Sequence, residues 1–311
     1  MAVEAMQTAL AKASSDLKFL MDEAGVSEQT QAKVYTRGFI NRRIFSGLDD
    51  TKEKVRAALC KELPLDYEAD TAARVDMALL LSVWESCRTQ WTVGEQHRAD
   101  SKLGVQSRIV PTTEYAAMRE AIEAVHGSLR DKELPSKSLL AQKLEQVEDN
   151  APHVEDLRDV TSLEDSQIGS YETVIDPAST FLRIKPGKTM TTPPANPEEL
   201  RMRHRRIGLA LEMLRTKHSS RSWLPPRCLD GFRKLSDHIL GDRIAGMRSP
   251  DGRSPAWSLI LQYESEVRKH AYRLVRDGSV GDLNSALSAA CMAPEIYTMP
   301  FYRAFDLCLI M

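Results

Sequence analysis

Between residues 69 and 98, Val75, Leu79, Trp84, Cys87 and Trp91 recur at three- to five-residue spacing, with Met77, Leu80 and Leu81 beside them. Side chains three and four apart share one face of a helix, whereas a strand alternates every second residue. The run therefore predicts a long helix whose apolar band is wide enough to be covered from more than one side. The same period returns along most of the chain, cut into lengths by Gly, Pro and capping residues. It points to an all-α protein.

The stops and caps set the expected elements. A helix over 3–24 carries Leu10, Leu17, Leu20 and Met21 and ends at Ala24-Gly25; Ser27 caps the next, which carries Val34 and Tyr35 as far as Gly38. A turn through Phe39, Ile44 and Phe45 leads to Asp49 and Asp50, expected N-caps for a helix at 51–62 with Val55, Ala58, Leu59 and Leu63 inward. Thr112 or Thr113 begins a helix over 114–126 that Gly127 stops. Ser136 begins another over 137–149, with Leu139, Leu140, Leu144 and Val147 inward. From 150 to 197 the period dissolves: Thr180–Lys185 is expected as a short strand or extended arm, and 186–197 (PGKTMTTPPANP) as a linker. Asn196-Pro197-Glu198-Glu199 opens a further helix, with Asn as cap, Pro in the first position and acids in the first turn. It runs to about 217 with Leu200, Ile207, Leu211 and Leu214 inward. Later helices are expected near 226–240, 255–277 and 280–291, the 255–277 face holding Trp257, Leu261, Glu264, Val267 and Ala271. The apolar, aromatic residues 292–311 are expected to tuck into a core. Two helical domains, 1–105 and 195–311, are thus joined by an acidic helical segment and Pro/Thr-rich linker at 106–194. Trp84 and Trp91 are assigned to the first core and Trp257 to the second.

The five cysteines, Cys60, Cys87, Cys228, Cys291 and Cys308, are odd in number, far apart and set in apolar helical patterns. That usage suits free thiols in a reducing compartment. The opening residues lack a basic stretch followed by an apolar core, as a signal peptide has, and no apolar run approaches the ~20 residues of a membrane span. A cytoplasmic or nuclear protein with no membrane contact is expected.

A formal net charge of −2 conceals a division. Residues 114–176 hold 15 Asp/Glu against 6 Lys/Arg, and residues 198–277 hold 17 Lys/Arg against 10 Asp/Glu. Such a split marks either a basic face for polyanions or two regions that attract each other. Within the basic half, Arg201, Arg203, Arg205 and Arg206 span less than two helical turns, and Lys217, Arg221 and Arg227 follow around Trp223. Guanidinium forks match phosphate oxygens and an indole stacks on an unpaired base, so these residues form a candidate nucleic-acid surface. The exposed loop 246–255 adds Arg248 and Arg253. The inward stripe places Arg201, Arg205 and Arg206 outside, and Arg203 at its edge, snorkelling outward. Only Glu198, Glu199 and Glu212 lie nearby on that helix, so at least one fork should stay free for phosphates unless another segment covers it. The rival partner is an acidic protein, or the chain's own acidic segment.

Catalytic signatures fail on spacing. Gly187-Lys188-Thr189 lacks the glycine five residues earlier that a phosphate loop requires, and Pro186 offers no N–H. His218-Ser219-Ser220-Arg221 has the H-x-x-R spacing of tyrosine recombinases, yet 243–256 contains no tyrosine to serve as nucleophile. No histidine has a second His or a Cys at metal-ligand spacing; His238 and His270 only have an acid one turn away, Asp242 and Glu266. No G-x-S-x-G elbow marks a serine hydrolase. No catalytic residue, metal or cofactor is expected.

Residues 16–66 carry Leu17-x-x-Leu20, Ala24-Gly25-Val26, Gly38-Phe39 and Ile44-Phe45-x-Gly47-Leu48 before Val55 and Leu59. This pattern of short helices broken by glycines resembles SAM-like and helix–hairpin–helix small domains. The resemblance implies binding to protein, RNA or DNA rather than chemistry, and the lack of a G-x-G hairpin turns the implication away from direct DNA contact here. A non-enzymatic interaction protein is the expectation, with its basic C-terminal region on a polyanion, most plausibly nucleic acid, or else a protein–protein adaptor.

Overall fold

The computed structural model describes residues 3–63, 70–102, 110–168, 171–175, 182–186, 192–248, 252 and 254–296. The chain folds as two compact units, Met1–Ala121 and Ile122–Met311. Both are built of helices, and the fold is all-α.

The first unit contains α1 (Val3–Lys12), α2 (Ser15–Glu23), α3 (Glu28–Thr36), α4 (Arg42–Ser46), α5 (Lys52–Glu62) and α6 (Thr71–Lys102), and it takes in the start of α7 (Thr112–His126). Side chains fix several starts: Ser27 Oγ accepts from the Thr30 N–H and Asn41 Oδ1 from Ile44 N–H. The cap of α5 is Thr51, whose Oγ1 accepts from Lys54 N–H, rather than Asp49 or Asp50. Asp49 instead turns its carboxylate onto the Asp50 N–H. As the wide apolar band implies, α6 packs against α2, α4 and α5. Leu17, Met21, Val34, Phe45, Val55, Leu59, Leu80, Trp84 and Cys87 make the core. Trp91 is only half-buried, lying beneath the Arg43 guanidinium, and so does not join it.

The second unit contains α8 (Lys137–Glu148), a 3-10 turn (Leu157–Asp159), α9 (Leu163–Ile168), α10 (Pro197–Lys217), α11 (Cys228–Leu240), α12 (Asp242–Ala245), α13 (Trp257–Arg276) and α14 (Leu283–Met292). Between α9 and α10, β1 (Tyr171–Ile175) and β2 (Leu182–Pro186) pair antiparallel, Tyr171 opposite Pro186 and Ile175 opposite Leu182. The strand anticipated near 180–185 thus has a partner, and these two are the only strands among the described residues. Asn196 caps α10 through Oδ1 to the Glu199 N–H, and Glu199 returns a carboxylate to the Ala195 N–H. Gly278 ends α13 at φ +66°, a left-handed conformation that a side chain resists.

Helix α10 packs on α8 and α11, and α14 packs on α11 and α13. The α10–α11 contact needs a residue without a side chain: a Cβ on Gly208 would stand 2.8 Å from Leu229 Cα. Trp257 does not anchor the core. It is half-buried, and its Nε1 donates to the Pro194 carbonyl at 2.7 Å, tying down the segment that leads into α10. The periodicity predicts joins near 105 and 195; the compact units divide between Ala121 and Ile122, and acidic α8 shares a unit with basic α10. Gly187–Thr189 and residues 297–311 lie outside the described residues.

Candidate nucleic-acid interface

The arginines of α10 were expected to point outward, and most do not. Arg203 is 8% exposed; its Nη1 donates to the carbonyls of Leu157 (2.6 Å) and Val160 (3.0 Å), and Nη2 donates to that of Thr192 (3.1 Å). Arg206 sends Nε and Nη2 to the Lys132 carbonyl at 3.0 and 2.9 Å, with Nη1 3.6 Å from Asp165. Burial draws both guanidiniums below the ordinary arginine range, while Asp165 pulls the other way. Arg205 lies 3.4 Å from Glu133. Arg201 alone of the four is exposed, and it pairs with Glu198 at 2.6 Å one turn away.

The residues after α10 follow the same course. Arg221 donates to the Glu148 carbonyl at 2.6 Å, and Trp223, 6% exposed, donates from Nε1 to Asn150 Oδ1 at 3.0 Å. That indole presents no face for a base to stack on. Lys217 is half-buried. Arg227 is exposed just before α11, and Arg248 is exposed with its Nη1 on the Met247 carbonyl. Arg253 lies outside the described residues. The expected continuous surface is therefore replaced by a clamp: Arg203, Arg206, Arg221 and Trp223 grip the acidic segment, and Arg201, Arg227 and Arg248 are left as separate exposed cations. The reason is that the carbonyls ending α8 and flanking the 3-10 turn need donors when buried, and a guanidinium carries five. Glu212, counted as a neighbour for these arginines, is taken up by the Leu229 N–H (2.8 Å) and His126 (2.6 Å).

Beneath the clamp lies a buried charged network that sequence reasoning missed. Arg268 forks onto Glu264 and reaches Glu155 with Nη1 at 2.9 Å; Lys143 pairs with Glu155 as well. Burial raises the Glu264 carboxyl, but Arg268 and His204 prevail and hold it at about 2. Glu155 is likewise held down by Lys143 and Arg268 against its burial. Its signal was Glu264 itself, a charge standing on the inward stripe of α13, with Arg268 one turn on.

His204 joins this network, Nε2 2.8 Å from Glu264 and Nδ1 2.7 Å from Ser236 Oγ. Ser–His–Glu in hydrogen-bond sequence is the order of a nucleophile, base and orienter. Here the Ser236 hydroxyl donates to the Phe232 carbonyl at 3.0 Å, and Ser236 and His204 are 4% and 0% exposed. A nucleophile must hand that proton to the histidine and reach a substrate. The array is built as a core support. His238 meets Tyr263 at 2.9 Å, and His270 accepts from Arg273 at 2.7 Å; neither bond is to the acid one turn away. Among the described residues no three His, Cys, Asp or Glu side chains gather as a metal site, and no helix is long and apolar enough to cross a membrane.

No protein-family model, curated protein or solved structure gives a significant match to this chain.

Proposed function

We propose that this protein is a non-enzymatic interaction module whose partner is a protein rather than a nucleic acid. The observation that carries this reading is the direction of Arg203, Arg206, Arg221 and Trp223, which spend their donors on the chain's own carbonyls. Phosphate binding needs guanidiniums that can leave water for the ligand without first breaking internal bonds. Of the expected site residues, the cations that remain outside, Arg201, Arg227 and Arg248, stand on three separate segments. The resemblance of residues 16–66 to SAM-like domains agrees with a role in association, and the enclosed Ser236–His204–Glu264 array agrees with a role outside catalysis.

The test is binding of the full chain to fluorescent single- and double-stranded oligonucleotides at several salt concentrations, beside an Arg201/Arg227/Arg248→Ala variant. These three are exposed, so the variant keeps the clamp. The expected result is no binding tighter than about millimolar near physiological salt, weaker than ordinary non-specific DNA binding. Micromolar binding that weakens with salt at a log–log slope of roughly 0.7–0.9 per neutralised phosphate, and that the variant loses, returns the protein to the polyanion class.

A further inference from the structure

The first unit has a furrow between α5 and α6. Two adjoining depressions, of about 530 and 680 Å³, share Lys52 and Glu85. Those two side chains pair at 2.9 Å across the furrow and stay more than half exposed. Along α6 the lining runs from Arg74 to Val93, nineteen steps that at ~1.5 Å each give roughly 28 Å, the length of five helical turns. Met77, Leu81 and Trp84, spaced four and three apart, form its apolar floor.

Its charge is unbalanced. Lys52, Arg56 and Arg88 line it against Asp50 and Glu85, and Lys52 already neutralises Glu85. Arg88 meets Asp50 through the backbone carbonyl rather than the carboxylate, and its guanidinium lies 5.4 Å from the centre of the Trp84 ring. Arg56 is exposed and has no ion pair or hydrogen bond among the described residues. Trp84 adds an unmet need: it is 3% exposed, yet its Nε1–H has no acceptor among the described residues. A buried donor left unpaired costs about 1–3 kcal/mol, and native structures rarely keep one without cause.

We propose that the α5–α6 furrow docks an acidic amphipathic helix of a partner protein, its apolar face on exposed Ala78 and Val93 above the Met77, Leu81 and Trp84 floor and its carboxylates on the cationic rim beside Arg56 and Arg88. A helix laid in a groove is anchored by apolar residues at three- and four-residue spacing, and five turns supply them along with carboxylates at the edges. This inference rests on the protein-binding reading and gives that reading a site.

The experiment uses the full chain and two fluorescein-labelled 18-residue peptides of identical composition. One segregates Leu and Glu onto opposite helical faces; the other scrambles them. Anisotropy gives affinity, and the indole Nε1–H signal of Trp84 in a ¹H–¹⁵N spectrum reports the place. The segregated peptide is expected to bind at least tenfold more tightly than the scrambled one and to shift the Trp84 signal. Arg56→Glu and Ala78→Gln, both at exposed positions, are expected to weaken it at least tenfold with no change in Tm. Equal binding of the two peptides, binding that both variants retain, or an unmoved Trp84 signal overturns the furrow and leaves the protein-binding reading standing. An oligonucleotide that shifts Trp84 and outcompetes the peptide overturns the furrow's partner class and that reading together.

Discussion

Arg203 Nη1 lies 2.6 Å from the carbonyl oxygen of Leu157, 46 residues earlier in the chain. That bond turns a basic cluster into an internal fastener, tying α10 to the 3-10 turn at Leu157–Asp159. The same group of forks holds Val160 and Thr192.

Removing this guanidinium leaves the buried Val160 carbonyl without a donor among the described residues, and leaves the Leu157 carbonyl only the Val160 N–H at 3.3 Å. Arg203→Ala should destabilise the chain by about 2–3 kcal/mol, the range for a charge-assisted bond whose partner is stranded. Arg203→Lys should recover little, since an ammonium is a single compact centre and cannot span the oxygens that Nη1 and Nη2 reach from two separate nitrogens. Urea titration of the three proteins checks this. A change under about 0.5 kcal/mol for Arg203→Ala makes the clamp incidental.

Local chemistry was legible in the sequence where the partners lie within one turn. Asn196, Ser136 and Ser27 cap the helices they were assigned to, and Gly278 ends α13, because each satisfies backbone groups three or four residues away. The cap of α5 was misplaced by only a residue or two, Asp49, Asp50 and Thr51 being competent alike. What the sequence hid is non-local. The arginine stripe is the same string whether its forks meet phosphate or the Leu157 carbonyl, and periodicity put Arg203 at an edge that the fold then covers. The charged core was half visible: Glu264 stood on the inward face, but Glu155 and Lys143 come from a segment with no fixed period or from a different helix.

That charged core should make the second unit acid-sensitive. Glu264 has a folded pKa of about 2, and Glu155 is depressed as well, whereas an unfolded glutamate titrates near 4.3. Below about pH 4.5 the unfolded chain takes up protons that the folded one refuses, so stability present above that pH is lost as pH falls toward 2. The loss attributable to Glu264 is on the order of 3 kcal/mol. Glu264→Gln should lower stability at pH 7, where Arg268 loses one of its two carboxylates and keeps only Glu155, and flatten the slope between pH 4.5 and 2. Urea titrations at pH 7, 4 and 2.5 measure both, and an unchanged slope in the variant assigns the acid lability elsewhere.

Thiol chemistry gives a separate readout of burial. Burial pushes the Cys87 thiol up to about 12 and Cys291 to about 11, and raises Cys228 well above its ordinary value. Cys60 is half-buried. Since the thiolate is the reacting species, iodoacetamide at pH 8 should label Cys60 first among these four, with Cys87, Cys228 and Cys291 following only as the chain opens. Peptide mass spectrometry over time resolves the order. Labelling of Cys228 as fast as Cys60 would contradict its place under α10.

Two glycines in the second unit should respond differently to the same added methyl group. A Cβ on Gly208 meets Leu229 Cα at 2.8 Å and Leu229 N at 3.3 Å, both backbone atoms of α11. A Cβ on Gly231 meets Asn284 Oδ1 at 2.1 Å, the end of a side chain, with Asn284 Cα at 3.4 Å. Alanine gains roughly 1 kcal/mol over glycine inside a helix, while overpacking costs about 1–3 kcal/mol. For Gly208→Ala, relief requires α10 and α11 to move apart, straining the Glu212 bond to the Leu229 N–H and the packing of His204 on Phe232; a net loss of roughly 1–2 kcal/mol is expected. For Gly231→Ala, Asn284 can rotate away, giving up the 2.8 Å bond from its Nδ2 to the Arg227 carbonyl, an exposed contact. The two effects nearly cancel, and a change within about 1 kcal/mol of zero is expected. Denaturant titration of the two variants side by side decides the matter: if Gly231→Ala proves the more damaging, the helices approach most closely at α11–α14 rather than at α10–α11.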